Sequence, residues 1–201
     1  KVYIEKVYYL IPAIAIFIVT LVANKDTGEE IIGYTIVDRF IFLCYSVFKY
    51  LLISAIPFKL SYLYPFPFQV GEKIPMALWI YPFVILFIGY VIYLNRKKPL
   101  LVFCPLFFIL HLLPVLHVIP LPRYVVVADR YLYIPYIAFA IGLSILSYHL
   151  YERQRKWILY AGFLYCSYLC VYTASYAPAW KNSDTLKEHF KEVLKKRETN
   201  L

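Results

Sequence analysis

The sequence MALWIYPFVILFIGYVIYLNRKK, residues 76–98, joins a long run without a charged residue to three consecutive basic residues. A helix needs roughly 20 apolar residues to cross the hydrocarbon core of a bilayer. Short loops rich in lysine and arginine stay on the cytoplasmic side of a membrane. This stretch therefore predicts a membrane-spanning helix that ends at the cytoplasmic face.

The composition of the whole chain agrees with a membrane protein. Hydrophobic residues make up 62% of the 201 residues and charged residues 16%, and the mean hydropathy is +0.65. A soluble domain usually carries about a quarter charged residues. The net charge of +9 is concentrated in short loops, as membrane topology requires, so we expect membrane lipids rather than nucleic acid as partners.

Six apolar segments are predicted, at about 7–23, 34–53, 76–94, 99–116, 131–150 and 157–174. The second is the weakest span because it carries Asp38, Arg39 and Lys49, and an interfacial amphipathic helix is the alternative there. The dense prolines of residues 54–75 predict a loop. We therefore expect an all-α, polytopic helical membrane protein, with about six transmembrane or interfacial helices in a domain over residues 1–176.

Residues 177–201 are polar and form a separate region in this interpretation. Leu186, Phe190, Val193 and Leu194 recur at helical spacing, and Thr185 with Glu188 is suited to a capping box. Because one amphipathic helix cannot bury its apolar stripe alone, it is expected to begin a helical-repeat region with a protein partner there, and an anchor on the membrane surface is the alternative.

Two short basic loops, Asn95–Lys98 and the stretch with Arg153, Arg155 and Lys156, are separated by two spans. Both are predicted to be cytoplasmic. Loops 54–75 and 117–131 and the C-terminus are then extracytoplasmic. The expected location is the cytoplasmic membrane of a prokaryote, or the endoplasmic reticulum membrane of a eukaryote.

Cysteine chemistry is not expected to carry function. Cys44, Cys104, Cys166 and Cys170 all fall inside apolar segments, and Cys166 and Cys170 share a helix face. No histidine or acid lies nearby in sequence to complete a metal site. We expect buried free thiols and no metal.

The outer surface predicted by this topology gathers the candidate site residues. They are Arg130, Arg123, Asp129, His117, Tyr131, Lys59 and Tyr64. An arginine fork matches phosphate oxygens bidentately, so Arg130 is the first candidate for a phosphate contact and Arg123 the second. Asp129 is the candidate for orienting the arginine, or alternatively for binding a sugar hydroxyl. Tyrosines and bases also anchor helices at the headgroups, which is the alternative interpretation of these side chains.

Three stretches resemble the polytopic glycosyltransferases of GT-C architecture, including the transmembrane O-mannosyltransferases with tetratricopeptide repeats and their bacterial relatives. The stretches are LLPVLHVIPLPRYVVVADRYLYIPYIAFAIGL (112–143), FKYLLISAIPFKLSYLYPFPF (48–68) and APAWKNSDTLKEHFKEVL (177–194). Tyr136 departs from the family, which tends to have a small residue there.

The resemblance implies sugar transfer from a polyprenyl-phosphate donor to a protein or glycan acceptor on the outer face. It makes the chain the C-terminal half of such an enzyme. The general base would then be an acid in an outer loop upstream of Lys1, and the lipid-linked donor would be the only cofactor-like molecule. A non-catalytic membrane scaffold that docks partners through its outer helix is the alternative, and a flippase or polymerase of lipid-linked sugars is a third.

Overall fold

The computed structural model describes residues 33–58, 60–61, 63–116, 125–153 and 155–188, together with Lys191 and isolated positions between 8 and 22. In this part of the chain the regular secondary structure is helical, and the extended contact present is an isolated bridge between Tyr64 and Val127. The all-α prediction is confirmed.

Five α-helices follow one another: α1 (Ile36–Ala55), α2 (Ile80–Leu94), α3 (Pro99–Leu112), α4 (Pro135–Arg153) and α5 (Arg155–Tyr176). Three short 3-10 helices adjoin them: Met76–Trp79 before α2, Asp129–Leu132 before α4 and Ala177–Trp180 after α5. Residues 183–188 are helical as well. Five of the six predicted segments therefore correspond to helices, and the described positions within segment 7–23 are helical as well.

A capping box begins α1. The Thr35 hydroxyl accepts the Asp38 N–H at 3.2 Å, and the Asp38 carboxylate accepts the Thr35 N–H at 2.8 Å. The helix ends at Ala55, two residues before Pro57, as expected where proline follows. Asp38 therefore has a structural role at a helix start, which explains one of the charges that weakened this segment as a span.

Helices α2 and α3 follow each other across a short connection, as do α4 and α5, and we call each connected pair a hairpin; the most extensive packing among these helices is between α3 and α4. Residues 95–98 connect α2 to α3, and one residue connects α4 to α5. The start of α2 packs on α1, where the Tyr81 ring lies 5.2 Å from the Tyr45 ring, and the 3-10 helix Asp129–Leu132 before α4 also packs on α1. Because a helix rises about 1.5 Å per residue, residues 95–98 lie roughly 20 Å along α2 from Tyr81, and the connection between α4 and α5 lies roughly 25 Å along α4 from its start.

The outer surface of the hairpins is apolar. Only 6% of the Met76–Leu94 segment and none of Arg155–Trp180 is buried, and both are long and apolar enough to cross a membrane. Phe83 and Leu86, for example, expose 69% and 70% of their surface. The shorter apolar helix α3 and the helices α1 and α4 are not among the candidate spans. Apolar surfaces of this extent mark a membrane or protein contact.

The proline-rich stretch runs back along α1 without forming a helix, in agreement with the predicted loop. Phe68 stacks on Phe42 of α1 at 4.8 Å between ring centroids, and Phe66 stacks on Tyr34 at 5.4 Å. The Tyr34 hydroxyl donates to the Phe68 carbonyl at 2.9 Å. This aromatic cluster fixes the loop on the first half of α1.

The cysteine prediction is correct in part. Cys44 and Cys104 are buried free thiols, as expected, whereas Cys166 and Cys170 are free but exposed. The error has a simple cause: both lie on α5, whose apolar surface is exposed along the whole segment, so an apolar neighbourhood in sequence did not mean a buried position.

The contact between α3 and α4 depends on a glycine. A Cβ atom at Gly142 would lie 3.8 Å from the Cys104 Cβ, which is ordinary contact. We expect Gly142→Ala to be tolerated and Gly142→Leu to destabilise the fold by roughly 1–3 kcal/mol through overpacking. Gly89→Leu on α2 is the control, because no neighbouring atom lies within 4 Å. Thermal unfolding in detergent would measure all three, and equal effects of leucine at the two positions would contradict the prediction.

Candidate functional site

The segment 126–128 is held by hydrogen bonds from two other parts of the chain. Tyr64 exchanges two backbone bonds with it: its N–H donates to the Val127 carbonyl at 3.0 Å, and its carbonyl accepts the Val126 N–H at 2.9 Å. From α1, the Ser46 hydroxyl donates to the Val126 carbonyl at 3.3 Å, and the Tyr50 hydroxyl accepts the Ala128 N–H at 3.2 Å. We call this arrangement the backbone clamp.

The clamp lies in the interior. Val126, Val127 and Ala128 are 2%, 1% and 0% exposed, and Tyr50 is 1% exposed. A buried backbone N–H or carbonyl without a partner is costly, so almost every such group is paired in native proteins. The clamp provides those partners and thereby fixes the chain immediately before Asp129.

Asp129 directs its carboxylate into a buried polar cluster. Both carboxylate oxygens are buried, and neither accepts a hydrogen bond of ordinary geometry from a described residue. The Tyr64 hydroxyl and the Ser61 N–H nevertheless lie close enough to act on the carboxyl, as does the charge of Lys49. Tyr176, at the end of α5, also interacts electrostatically with this carboxylate. Lys49, Ser61, Tyr64, Asp129 and Tyr176 are called the Asp129 cluster below.

Burial raises the pKa of the Asp129 carboxyl to about 7. Desolvation disfavours the charged form. The Tyr64 hydroxyl, the Ser61 N–H and Lys49 act in the opposite direction and favour the carboxylate. Burial and the nearby Asp129 charge also raise the pKa of the Tyr64 phenol, which therefore stays protonated. Its hydroxyl accepts the Ser61 N–H at 3.0 Å, which leaves its own proton available to Asp129.

Arg130 occupies a different environment from its neighbour. Its side chain is exposed. The guanidinium lies 5.0 Å from the centroid of the Tyr131 ring and donates to the Tyr131 hydroxyl at 3.2 Å. The Asp129 oxygens accept no hydrogen bond from it. No hydrogen bond between Asp129 and Arg130 therefore supports the predicted orienting role, and the Tyr131 hydroxyl accepts a hydrogen bond from the guanidinium.

A row of tyrosines on α5 holds the first part of the loop. The hydroxyls of Tyr165 and Tyr168 donate to the carbonyls of Ala55 and Pro57 at 2.8 and 2.6 Å. The Tyr172 hydroxyl accepts the Leu60 N–H at 2.9 Å. These bonds bring the end of α5 to the open ends of the hairpins and place Tyr176 in the Asp129 cluster.

Four of the seven predicted site residues are described: Tyr64 and Asp129 lie in the buried Asp129 cluster, whereas Arg130 contacts Tyr131 and is exposed. Lys59, His117 and Arg123 lie outside the described residues. Sequence reasoning missed Ser46, Tyr50 and Tyr176 as part of the site and noted Lys49 only as a charge. A signal for the α5 tyrosines was present, because positions 165, 168, 172 and 176 recur on one face of a helix.

Within the described ranges, no group of three or more histidine, cysteine, aspartate or glutamate side chains is arranged to hold a metal ion. The site chemistry visible here is that of a buried carboxylate, an exposed guanidinium, a half-buried ammonium and phenol hydroxyls. No protein-family model, curated protein or solved structure matches the chain.

The buried Asp129 carboxyl predicts a pH-dependent stability. Its pKa in the folded protein, about 7, lies above the ordinary value of 3.8, so the folded state binds this proton more tightly than the unfolded state. The stabilisation from this group is complete below about pH 4 and is lost as pH rises to about 7, with a limiting slope of about 1.4 kcal/mol per pH unit.

We expect Asp129→Asn to remove this slope, so that the variant gains stability relative to the wild type between about pH 4 and 7. Thermal unfolding in detergent over that range measures the difference. Asp184→Asn is the control, because Asp184 is exposed. Parallel curves for the wild type and Asp129→Asn would show that the carboxyl does not titrate in this way.

Proposed function

We propose that this chain is the C-terminal half of a membrane glycosyltransferase. It transfers a sugar from a polyprenyl-phosphate donor to a protein or glycan acceptor on the extracytoplasmic side. In this proposal the chain supplies contacts to the donor lipid phosphate, and the general base belongs to a part of the protein outside these residues.

The helix surfaces support a multi-pass arrangement in a membrane. Two helices satisfy the length and composition of a span, and almost none of their side chains is buried. Both hairpin turns are basic: Arg96, Lys97 and Lys98 lie in one, and Arg155 and Lys156 begin the helix that follows the other. Both turns lie at the ends of α2 and α4 that are away from the Asp129 cluster, which supports an orientation with the turns in the cytoplasm and the cluster at the extracytoplasmic face.

The observation that carries the proposal is the exposed Arg130 guanidinium at the open ends of the hairpins. Arg130 follows a buried backbone segment, and its guanidinium lies over the Tyr131 ring. A guanidinium held in this way offers a fork of donors to phosphate oxygens at the depth of lipid headgroups. When a sugar leaves its polyprenyl phosphate, negative charge develops on the leaving phosphate, and such a donor stabilises it.

A non-catalytic scaffold is the alternative function, and the end of the chain favours it. The Asn182 side chain accepts the Thr185 N–H at 3.0 Å, and the Thr185 hydroxyl accepts the Asn182 N–H at 3.3 Å. Thr185 therefore pairs with Asn182 rather than with Glu188, and the helix starts three residues earlier than expected. A capped helix directly after α5 is suited to docking a protein partner.

Topology is the first test of the proposal. Single cysteines at Lys97 and Arg155, introduced into a cysteine-free background, should react with membrane-impermeant reagents only from the cytoplasmic side. A cysteine at Ser183 should react only from the opposite side. Labelling of position 183 from the cytoplasm would place the Asp129 cluster at the wrong face for a lipid-linked donor and would reject the proposal.

Arg130 is the second test. Arg130→Lys keeps the charge and loses the bidentate fork, so transfer from a polyprenyl-phosphate sugar should fall. Arg130→Ala should fall further, by roughly 2–4 kcal/mol in transition-state stabilisation. The measurement is turnover by the full-length protein, normalised to folded protein in membranes. Neither variant should unfold the protein because the side chain is exposed.

Lys181→Ala is the matched control for Arg130, since Lys181 is an exposed base just after α5 on the same side of the predicted membrane. Its turnover should equal that of the wild type. Normal turnover in Arg130→Ala would leave this arginine as an anchor at the headgroups, and it would favour the scaffold.

A further inference from the structure

The backbone clamp stands directly before the exposed arginine. Ala128, the last clamped residue, is separated from Arg130 only by Asp129. Asp129 is the first residue of the 3-10 helix, and Arg130 is the second. A side chain on a turn of this kind has its direction set by the backbone that leads into it. What fixes the Ala128 N–H therefore also fixes where the Arg130 guanidinium points.

The partner of the Ala128 N–H is the Tyr50 hydroxyl, at 3.2 Å. Tyr50 lies on α1 and is 1% exposed, so it cannot touch a ligand at the surface itself. Its ring belongs to the hydrophobic core together with Val126, Val127 and Leu132. The ring thus anchors the hydroxyl in the core, while the hydroxyl reaches the backbone of the candidate site.

We infer that Tyr50 is a positioning residue, whose hydroxyl sets the Arg130 guanidinium for binding the phosphate of a polyprenyl-phosphate ligand. The inference rests on the proposed function. It adds a residue that makes no ligand contact and that lies 80 positions away from the arginine in sequence. Ser46 assists from the same helix through its bond to the Val126 carbonyl, at 3.3 Å.

The decisive variant is Tyr50→Phe, which keeps the ring in the core and removes only the hydroxyl. Its control is Tyr81→Phe on α2, where the ring packs on Tyr45 and Phe48 and the hydroxyl makes no hydrogen bond to a described residue. The full chain is placed in nanodiscs, and binding of a long-chain polyprenyl phosphate is titrated. Polyprenol and inorganic phosphate are titrated in parallel, to separate recognition of the lipid chain from recognition of the phosphate.

Tyr50→Phe should weaken polyprenyl-phosphate binding by about tenfold, within the range of coupling between neighbouring groups. Tyr81→Phe should bind as the wild type does. The same Tyr50→Phe change in an Arg130→Ala background should have no further effect, because the guanidinium to be positioned is then absent. Inorganic phosphate should compete with the ligand, and polyprenol should not.

If Tyr50 has only a structural role, a different result is expected. Binding per folded protein would then be unchanged, or it would fall by the same factor with and without Arg130, and either result overturns the inference while the proposed function stands. If polyprenol binds the wild type as tightly as the phosphate does, or if Arg130→Ala binds normally, the proposed function fails and the inference fails with it.

Ser46→Ala provides a second variant in case Tyr50→Phe does not fold. It removes the bond to the Val126 carbonyl and leaves the Tyr50 side chain unchanged. If Ser46→Ala weakens polyprenyl-phosphate binding less than Tyr50→Phe does, and only in the background that keeps Arg130, the result supports positioning by the clamp. An equal loss in both backgrounds contradicts it.

Discussion

Burying the backbone of residues 126–128 imposes a condition on the rest of the molecule. Peptide groups that leave water need partners elsewhere, because an unpaired buried donor or acceptor costs about 1–3 kcal/mol. Here the partners come from Tyr64 in the proline-rich stretch and from Ser46 and Tyr50 on α1. The loop, the helix and the segment before α4 are thereby tied to one another, and the open ends of both hairpins are assembled around this contact.

The sequence predicts the helices better than it predicts their contacts. Long apolar runs and basic turns mark α2 to α5, and dense proline marks the loop, because these are local properties of the chain. The bonds from Ser46 and Tyr50 to the clamp span 80 and 78 positions, and nothing in a single sequence pairs residues at that distance. The aspartate and arginine of the candidate site were found from their chemistry, whereas the hydroxyl that holds the backbone beside them was not.

Local patterns also misled where the surroundings decided the outcome. Cys166 and Cys170 were expected to be buried because their neighbours are apolar, yet α5 exposes its apolar face. Asp129 was expected to orient Arg130 because the two are adjacent, yet adjacent residues on a 3-10 helix point in directions about a third of a turn apart. In both cases proximity in sequence was taken for proximity in space.

The divergence of Asp129 and Arg130 has a consequence for the electrostatics of the open end. Had the two side chains paired at the surface, the negative carboxylate would have neutralised the positive charge of the guanidinium, which is the charge that would bind an anion. The structure buries both carboxylate oxygens among Tyr64, Ser61 and Lys49, and it leaves the guanidinium exposed on the Tyr131 ring. With the pKa of the acid raised to about 7, part of its charge is also removed near neutral pH. The positive charge at the surface is thus preserved by the same turn that buries its acidic neighbour.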